Sequence, residues 1–236
     1  MRTSRKLGVV YLFMLHVLLA LVLAKSDFIE KVGYKLGVST TPELSAYYDR
    51  ITTYHFRMDG NVPDGATLFI GDSITQGLAT SAIANPSVNY GIGSDTTLGV
   101  LNRIRKYESL NRVDTVVLAI GVNDLRRRSD EKIVTNYKKI LDSIPEEIPV
   151  VVSAILPVDE RVQRVNSENN RISKVNKLLR DLSLKYENVT FSDAGSSLRG
   201  PDNNLKSDFH VGDGVHLSSA GYQVWIRELR RALNNA

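Results

Sequence analysis

The sequence predicts an α/β fold in which a five-stranded parallel sheet is covered by helices on both faces. Three observations carry this. Short runs rich in Val and Ile recur along the chain. Segments with helical apolar spacing lie between them. Hydrophobic residues make up 42% of the 236, enough to build a packed core and to exclude wholesale disorder. Strands that alternate with helices are joined by right-handed βαβ crossovers, which set the strands parallel and bury both sheet faces.

The elements follow in chain order. Residues 1–24 hold Arg2, Arg5 and Lys6, no acidic residue, and an uncharged apolar run from Leu7 to Ala24. A basic cluster before an apolar run predicts a signal peptide or an N-terminal membrane anchor. A buried core helix is the third reading, with only Tyr11 and His16 to face water. Either of the first two predicts a transmembrane orientation with the basic end cytoplasmic. The rest of the chain is then exported to a periplasmic or extracellular face. Residues 25–64 read as a partly helical connector. Thr41 can cap a helix from Pro42 to Tyr54, and the turn-rich Asp59–Gly65 stretch ends it. Residues 65–236 form the α/β domain. Its strands are predicted at Ala66–Ile70, Val88–Ile92, Val113–Ile120, Ile148–Ile155 and Val189–Ser192. Helix faces are marked by Leu98, Leu101 and Ile104, by Ile172, Val175, Leu179 and Leu182, and by Tyr222, Ile226, Leu229 and Leu233.

Composition removes several classes of function. The chain has no cysteine, so disulfides, Cys-ligated zinc, iron–sulfur clusters and a cysteine nucleophile are excluded. No His/Asp/Glu cluster has ligand spacing, so neither a metal nor any other cofactor is expected. The net charge of +4 falls to +1 once the three basic residues of the leader are set aside. The basic charge is therefore a property of the leader and gives no support to a nucleic-acid partner.

Parallel sheets bind ligands beyond the carboxyl ends of their strands. After the first strand comes Gly71-Asp72-Ser73. Ser73 either caps a helix or is a nucleophile at a helix N-terminus, where free N–H groups favour developing negative charge. The G-x-S-x-G elbow of α/β-hydrolases is absent. After the second strand comes Gly91-Ile92-Gly93-Ser94-Asp95-Thr96-Thr97. It lacks the third glycine of a dinucleotide fingerprint and follows the wrong strand. It reads as a loop that exposes backbone N–H groups. After the third strand, Asn123 of Gly121-Val122-Asn123-Asp124 is either a turn residue or an uncharged donor to an oxyanion. Before the last helix, Asp213 and His216 are spaced so that a carboxylate can hold the imidazole tautomer. His210 is the alternative base. Arg126, Arg127 and Arg128 either attract an anionic substrate or form a solvated patch, and solvation is the commoner fate of a charge run.

These segments in this order resemble the SGNH (GDSL-type) hydrolase family over about residues 66–234. The segments Asn89–Thr97 and Asp213–Tyr222 are most similar to its platelet-activating-factor acetylhydrolase-like and carbohydrate-esterase-like branches. The resemblance implies a flavodoxin-like three-layer α/β/α sandwich. It implies Ser73 as nucleophile, His216 as general base and Asp213 as the acid that orients it. It implies an oxyanion hole built from Ser73, a backbone N–H at Ser94 (with Gly93 as the alternative) and Asn123. The family often has glycine where this chain has Ser94, and a positive φ there would cost serine energy. The implied activity is cleavage of carboxylic esters, O-acetyl or short-acyl, on a small molecule or glycan. A lysophospholipase, an acyl-thioesterase and a non-catalytic glycan- or lipid-binding module are the alternatives. Membrane contact through residues 7–24 would follow if the leader is retained, and no obligate protein partner is inferred.

Overall fold

A computed structural model of the chain describes residues 2–25, 44–163 and 168–235. It divides into two compact units, Met1–Ser45 and Ala46–Ala236. The first contains helix α1, Arg2–Lys25. Side chains are described for residues 6–20 of this helix, and all are exposed. Among the described residues no helix is long and apolar enough to cross a membrane. This overturns the expected transmembrane anchor at residues 7–24 and the localisation built on it. The described surface is not uniformly apolar: His16 interrupts it, its ring Nδ1 2.7 Å from the Leu12 carbonyl.

In the second unit, helix α2 spans Ala46–Asp59. The expected cap Thr41 and first-turn Pro42 lie outside the described residues. The helix runs past Tyr54 because its buried stripe is polar. Tyr48, Thr52, His55 and Asp59 recur at helical spacing on one face and are buried. An apolar-periodicity reading does not register such a stripe.

The sheet consists of β1 (Thr67–Gly71), β2 (Ser87–Gly91), β3 (Thr115–Ala119), β4 (Val150–Ser153) and β5 (Val189–Ser192). Its order is β2-β1-β3-β4-β5, and every pair is parallel. This is the flavodoxin-like order, with its topological switch between β1 and β3. The remaining helices are α3 (Ser73–Gln76), α4 (Thr97–Arg103), α5 (Asp130–Leu141), α6 (Glu160–Gln163), α7 (Glu168–Ser183), α8 (Gly195–Leu198) and α9 (Ser219–Leu233).

The strands alternate between two cores, as the period of two requires. Leu68, Ile70, Val116, Leu118, Val150 and Val152 pack with Val100, Ile133, Tyr137, Ile140, Ile172, Val175 and Leu179 of α4, α5 and α7. Phe69, Val117 and Val151 face the other way and pack with Val224, Trp225 and Leu229 of α9. The chain is thus a three-layer α/β/α sandwich. Ser129 starts α5 by accepting the Lys132 N–H, and Ser218 starts α9 by accepting the Gly221 N–H.

The carboxyl end of β2 lies directly under α3. A β-carbon at Gly91 would stand 2.2 Å from the backbone nitrogen of Gln76, with no flexible side chain to yield. Gly91→Ala should therefore lower the melting temperature by more than an ordinary overpacking change, which costs about 1–3 kcal/mol. Thermal denaturation followed by circular dichroism checks this, and an unchanged melting temperature would contradict it.

Candidate active site

Ser73 is the first residue of α3, immediately beyond β1. Asp72 caps this one-turn helix, its Oδ1 accepting the Ile74 N–H at 2.9 Å. The hydroxyl of Ser73 lies 2.9 Å from His216 Nε2, and His216 Nδ1 lies 2.6 Å from Asp213 Oδ2. The three residues predicted to act together are therefore in one hydrogen-bonded chain. The His216 and Asp213 side chains are 46% and 43% exposed, so this chain sits at an open surface. The second carboxylate oxygen of Asp213 accepts the Val215 and His216 N–H groups, both at 2.9 Å. Partial burial works to raise the Asp213 pKa. The Val215 N–H, the His216 ring and the His216 N–H outweigh it and hold the carboxylate below its ordinary value.

The loop that presents Asp213 and His216 is built on His210. Its Nδ1 accepts the N–H groups of Gly212 and Gly214 at 3.0 and 3.1 Å, which assigns the ring proton to Nε2. Nε2 is 3.4 Å from Asp159 Oδ2. His210 is buried and shapes the loop, while His216 takes the place beside Ser73. Gly212 and Gly214 have φ of 101° and 79°, conformations that glycine adopts without strain. Gln163 of α6 holds the loop from outside, its Nε2 donating to the Asp213 carbonyl at 2.5 Å. Tyr222 of α9 donates to the Ile74 carbonyl at 2.7 Å and ties the His216 side to α3.

The loop after β2 carries Ser94 with φ of 63°. Serine therefore occupies the left-handed region where the family often has glycine, at a cost of about 1 kcal/mol or more. The Gly93 N–H is engaged, donating to Gln76 Oε1 at 2.9 Å. The Ser94 N–H makes no hydrogen bond among the described residues. Asn123 lies in a single 3-10 turn, Val122–Asp124, beyond β3. Its Nδ2 donates to the Asp95 carbonyl at 2.9 Å. One of its two amide hydrogens is thus used to fix its orientation, and the second remains.

Beneath these loops lies a charged layer that sequence inspection did not register. Asp95 and Arg103 form an ion pair with both side chains fully buried. Asp124 accepts from the Thr97 backbone and hydroxyl and pairs with Arg128. The expectation of a solvated patch at Arg126–Arg128 is corrected for Arg128, whose side chain is 9% exposed and turned inward. Four residues of separation bring it back over Asp124. Arg127 is exposed, and Arg126 donates to Gln163 Oε1 at 2.7 Å. Spacing alone offered one signal, the i, i+4 separation of Asp124 and Arg128. The pairing of Asp95 with Arg103 is i, i+8 and left none.

Burial pushes the Asp72 pKa up to about 7, and the charges of Asp95 and Asp124 add to the effect against the Ile74 N–H. Burial likewise raises Asp95 and Asp124, opposed respectively by Arg103 and by the Thr97 hydroxyl and N–H. Among the described residues no group of His, Asp and Glu could hold a metal ion.

The fold and the order of its loops are those of an SGNH/GDSL-type hydrolase. The chain belongs to the GDSL-like Lipase/Acylhydrolase family, whose model matches residues 69–224. The alpha2 subunit of platelet-activating factor acetylhydrolase IB from Homo sapiens is 28% identical, over 78% of this chain and 84% of the relative. The alpha1 subunit from Bos taurus is 28% identical, over 76% of this chain and 80% of the relative. The crystal structure of a GDSL-like lipase from Bacteroides thetaiotaomicron superposes with a TM-score of 0.67 at 17% identity. It covers 78% of this chain and 97% of that one, and shows the shared fold.

Asp72 supplies a pH dependence of known sign. An unfolded aspartate titrates near pH 4, and the folded group near 7. Between these values the folded state holds the extra proton, so stability from this group falls as pH rises and the loss is complete above about 7. Asp72→Asn keeps an acceptor for Ile74 and should raise the melting temperature at pH 8 while leaving it nearly unchanged at pH 4. Melting curves across that range check it. A variant that loses stability at pH 8 would refute the assignment.

Proposed function

We propose that the chain is a serine esterase that cleaves O-acetyl or short-acyl carboxylic esters, with a small molecule or a glycan as the alcohol. The observation that carries this is the continuous chain from Ser73 Oγ through His216 to Asp213, at 2.9 and 2.6 Å. His216 Nε2 takes the Ser73 proton as Oγ attacks the ester carbonyl. Asp213 holds the proton on Nδ1 and stabilises the imidazolium that forms. The N–H groups of Ser73 and Ser94 and the second amide hydrogen of Asn123 receive the tetrahedral oxyanion. Collapse expels the alcohol, which takes its proton from His216. Water then repeats the sequence on the acyl-serine and releases the acid.

The choice of Ser94 over Gly93 as donor is supported by the hydrogen bond that already occupies the Gly93 N–H. The left-handed φ at Ser94 is strain of the kind that a donor loop stores. The acetyl preference is supported by the curated relatives, which are named as acetylhydrolases. The open surface around His216 and Asp213 suits a bulky leaving alcohol, because nothing need close over it.

Purified full-length protein should hydrolyse acetyl esters, including O-acetylated sugars, faster than octanoyl or palmitoyl esters. A reversed preference would favour a lysophospholipase or acyl-thioesterase. Ser73→Ala should abolish turnover and labelling by a fluorophosphonate probe. Asn123→Ala should lower kcat by about 10²–10³, the usual cost of one oxyanion donor. Wild-type hydrolysis by Ser73→Ala refutes the nucleophile, and a wild-type protein that ignores the probe points to a binding module.

A further inference from the structure

We propose that the buried Asp95–Arg103 pair is a positioning device that holds the three segments of the oxyanion site in register. The inference rests on the esterase reading above and deepens it.

The Arg103 guanidinium contacts two of these segments at once. Its Nη2 donates to Asp95 Oδ2 at 2.8 Å and to the Gly71 carbonyl at 3.2 Å, and its Nε donates to Asp95 Oδ2 at 3.2 Å. Gly71 is the last residue of β1 and leads through Asp72 into Ser73. Asp95 follows Ser94 directly. Its Oδ1 accepts the Thr96 N–H at 2.8 Å, and its backbone carbonyl accepts Asn123 Nδ2 at 2.9 Å. One fork of donors and one aspartate thus join the segment bearing Ser73, the segment bearing Ser94 and the side chain of Asn123.

Three features indicate positioning and not stability alone. First, both side chains are completely buried, and burying an ion pair is no better for stability than well-packed apolar residues of similar volume. What the pair adds is direction, because the guanidinium presents its donors in a rigid plane. Second, α4 makes room for the carboxylate. A β-carbon at Gly99 would stand 1.8 Å from Asp95 Oδ1, so only glycine lets the helix approach it. Third, the arginine is itself oriented from behind. Its Nη1 donates to Tyr107 Oη at 2.8 Å, and that hydroxyl lies 3.2 Å from His55 Nδ1 on α2. Burial and the Arg103 charge lower the His55 pKa to about 3, so its ring is neutral and Nδ1 can accept the Tyr107 proton. The chain of contacts therefore runs from α2, outside the segment matched by the family, to the oxyanion loops.

The test compares Arg103→Lys, Tyr107→Phe, Ser73→Ala and a distant control, Asn188→Ala, in the full chain. Asn188 Nδ2 donates to the Ile148 carbonyl at 2.8 Å, at the opposite ends of the strands. Melting temperature, kcat and KM are measured with p-nitrophenyl acetate, and rates are expressed per folded molecule. Arg103→Lys keeps the charge but loses the fork. Its kcat should fall about 10- to 100-fold, as misplacement of a catalytic group does, with KM within about two-fold. Tyr107→Phe should lower kcat in the same direction by less. Asn188→Ala should lose melting temperature at unchanged kcat. If Arg103→Lys does not fold, Tyr107→Phe decides alone. Unchanged kcat in the folded variants beside an inert Ser73→Ala overturns the positioning role and leaves the esterase reading standing. A Ser73→Ala protein with wild-type turnover overturns that reading itself.

Discussion

The fold depends on five strands that all end on the same side. A parallel sheet gathers the loops after β1, β2 and β3 at one edge, and the reversal of order between β1 and β3 separates their exits enough to leave a crevice. Everything distinctive about the site is a consequence. The loop that starts α3 has to pass over the end of β2, so Gly91 carries no side chain. The loops after β2 and β3 have to face each other, so the Asp95 carbonyl finds its partner in the Asn123 amide.

Loops packed this closely carry backbone groups with little water around them, and each needs a partner. The molecule meets that need with buried charge. Asp72, Asp95 and Asp124 lie within electrostatic reach of one another, each raised in pKa by burial. Among the described residues, arginine partners are seen for Asp95 and Asp124, Arg103 and Arg128 respectively. The cost of the arrangement falls on Asp72, the residue beside the candidate nucleophile. Protonation of Asp72 would remove the third negative charge and still leave a carboxyl oxygen for the Ile74 N–H.

Much of this was legible in sequence because it is local. The strands are continuous Val/Ile runs, Ser73 follows Gly71-Asp72 at a strand end, and Asp213 lies three residues before His216. The limits of legibility have the same cause. Val113–Ile120 and Ile148–Ile155 are apolar beyond the paired segments Thr115–Ala119 and Val150–Ser153, because the flanking Val113, Ile120, Ile148 and Ile155 are buried in the core outside the strand register. α2 buries His55 and Asp59, whose partners Tyr107 and Ser109 are about fifty positions away. Such polar stripes have no apolar period to detect. The apolar run at residues 7–24 shows the converse error. Its composition suggested a membrane anchor, whereas no helix among the described residues is long and apolar enough to cross a membrane.

The polarity of α2 follows from where it packs. Its partners are Gly99 on α4, Tyr107 and Ser109, each presenting a hydroxyl, a carbonyl or an N–H toward it. Tyr48 Oη donates to the Gly99 carbonyl at 2.7 Å, and Asp59 accepts from Ser109 and from Tyr90 Oη. An apolar helix in this place would leave those groups unpaired at about 1–3 kcal/mol each. The Tyr90 and Tyr107 rings stack at 4.3 Å between its two polar contacts and supply the apolar area the stripe lacks. Helix α2 is thus matched to these polar partners through its buried stripe, while Phe56 packs against the hydrophobic core. Its sequence reads as a connector because its buried stripe is polar.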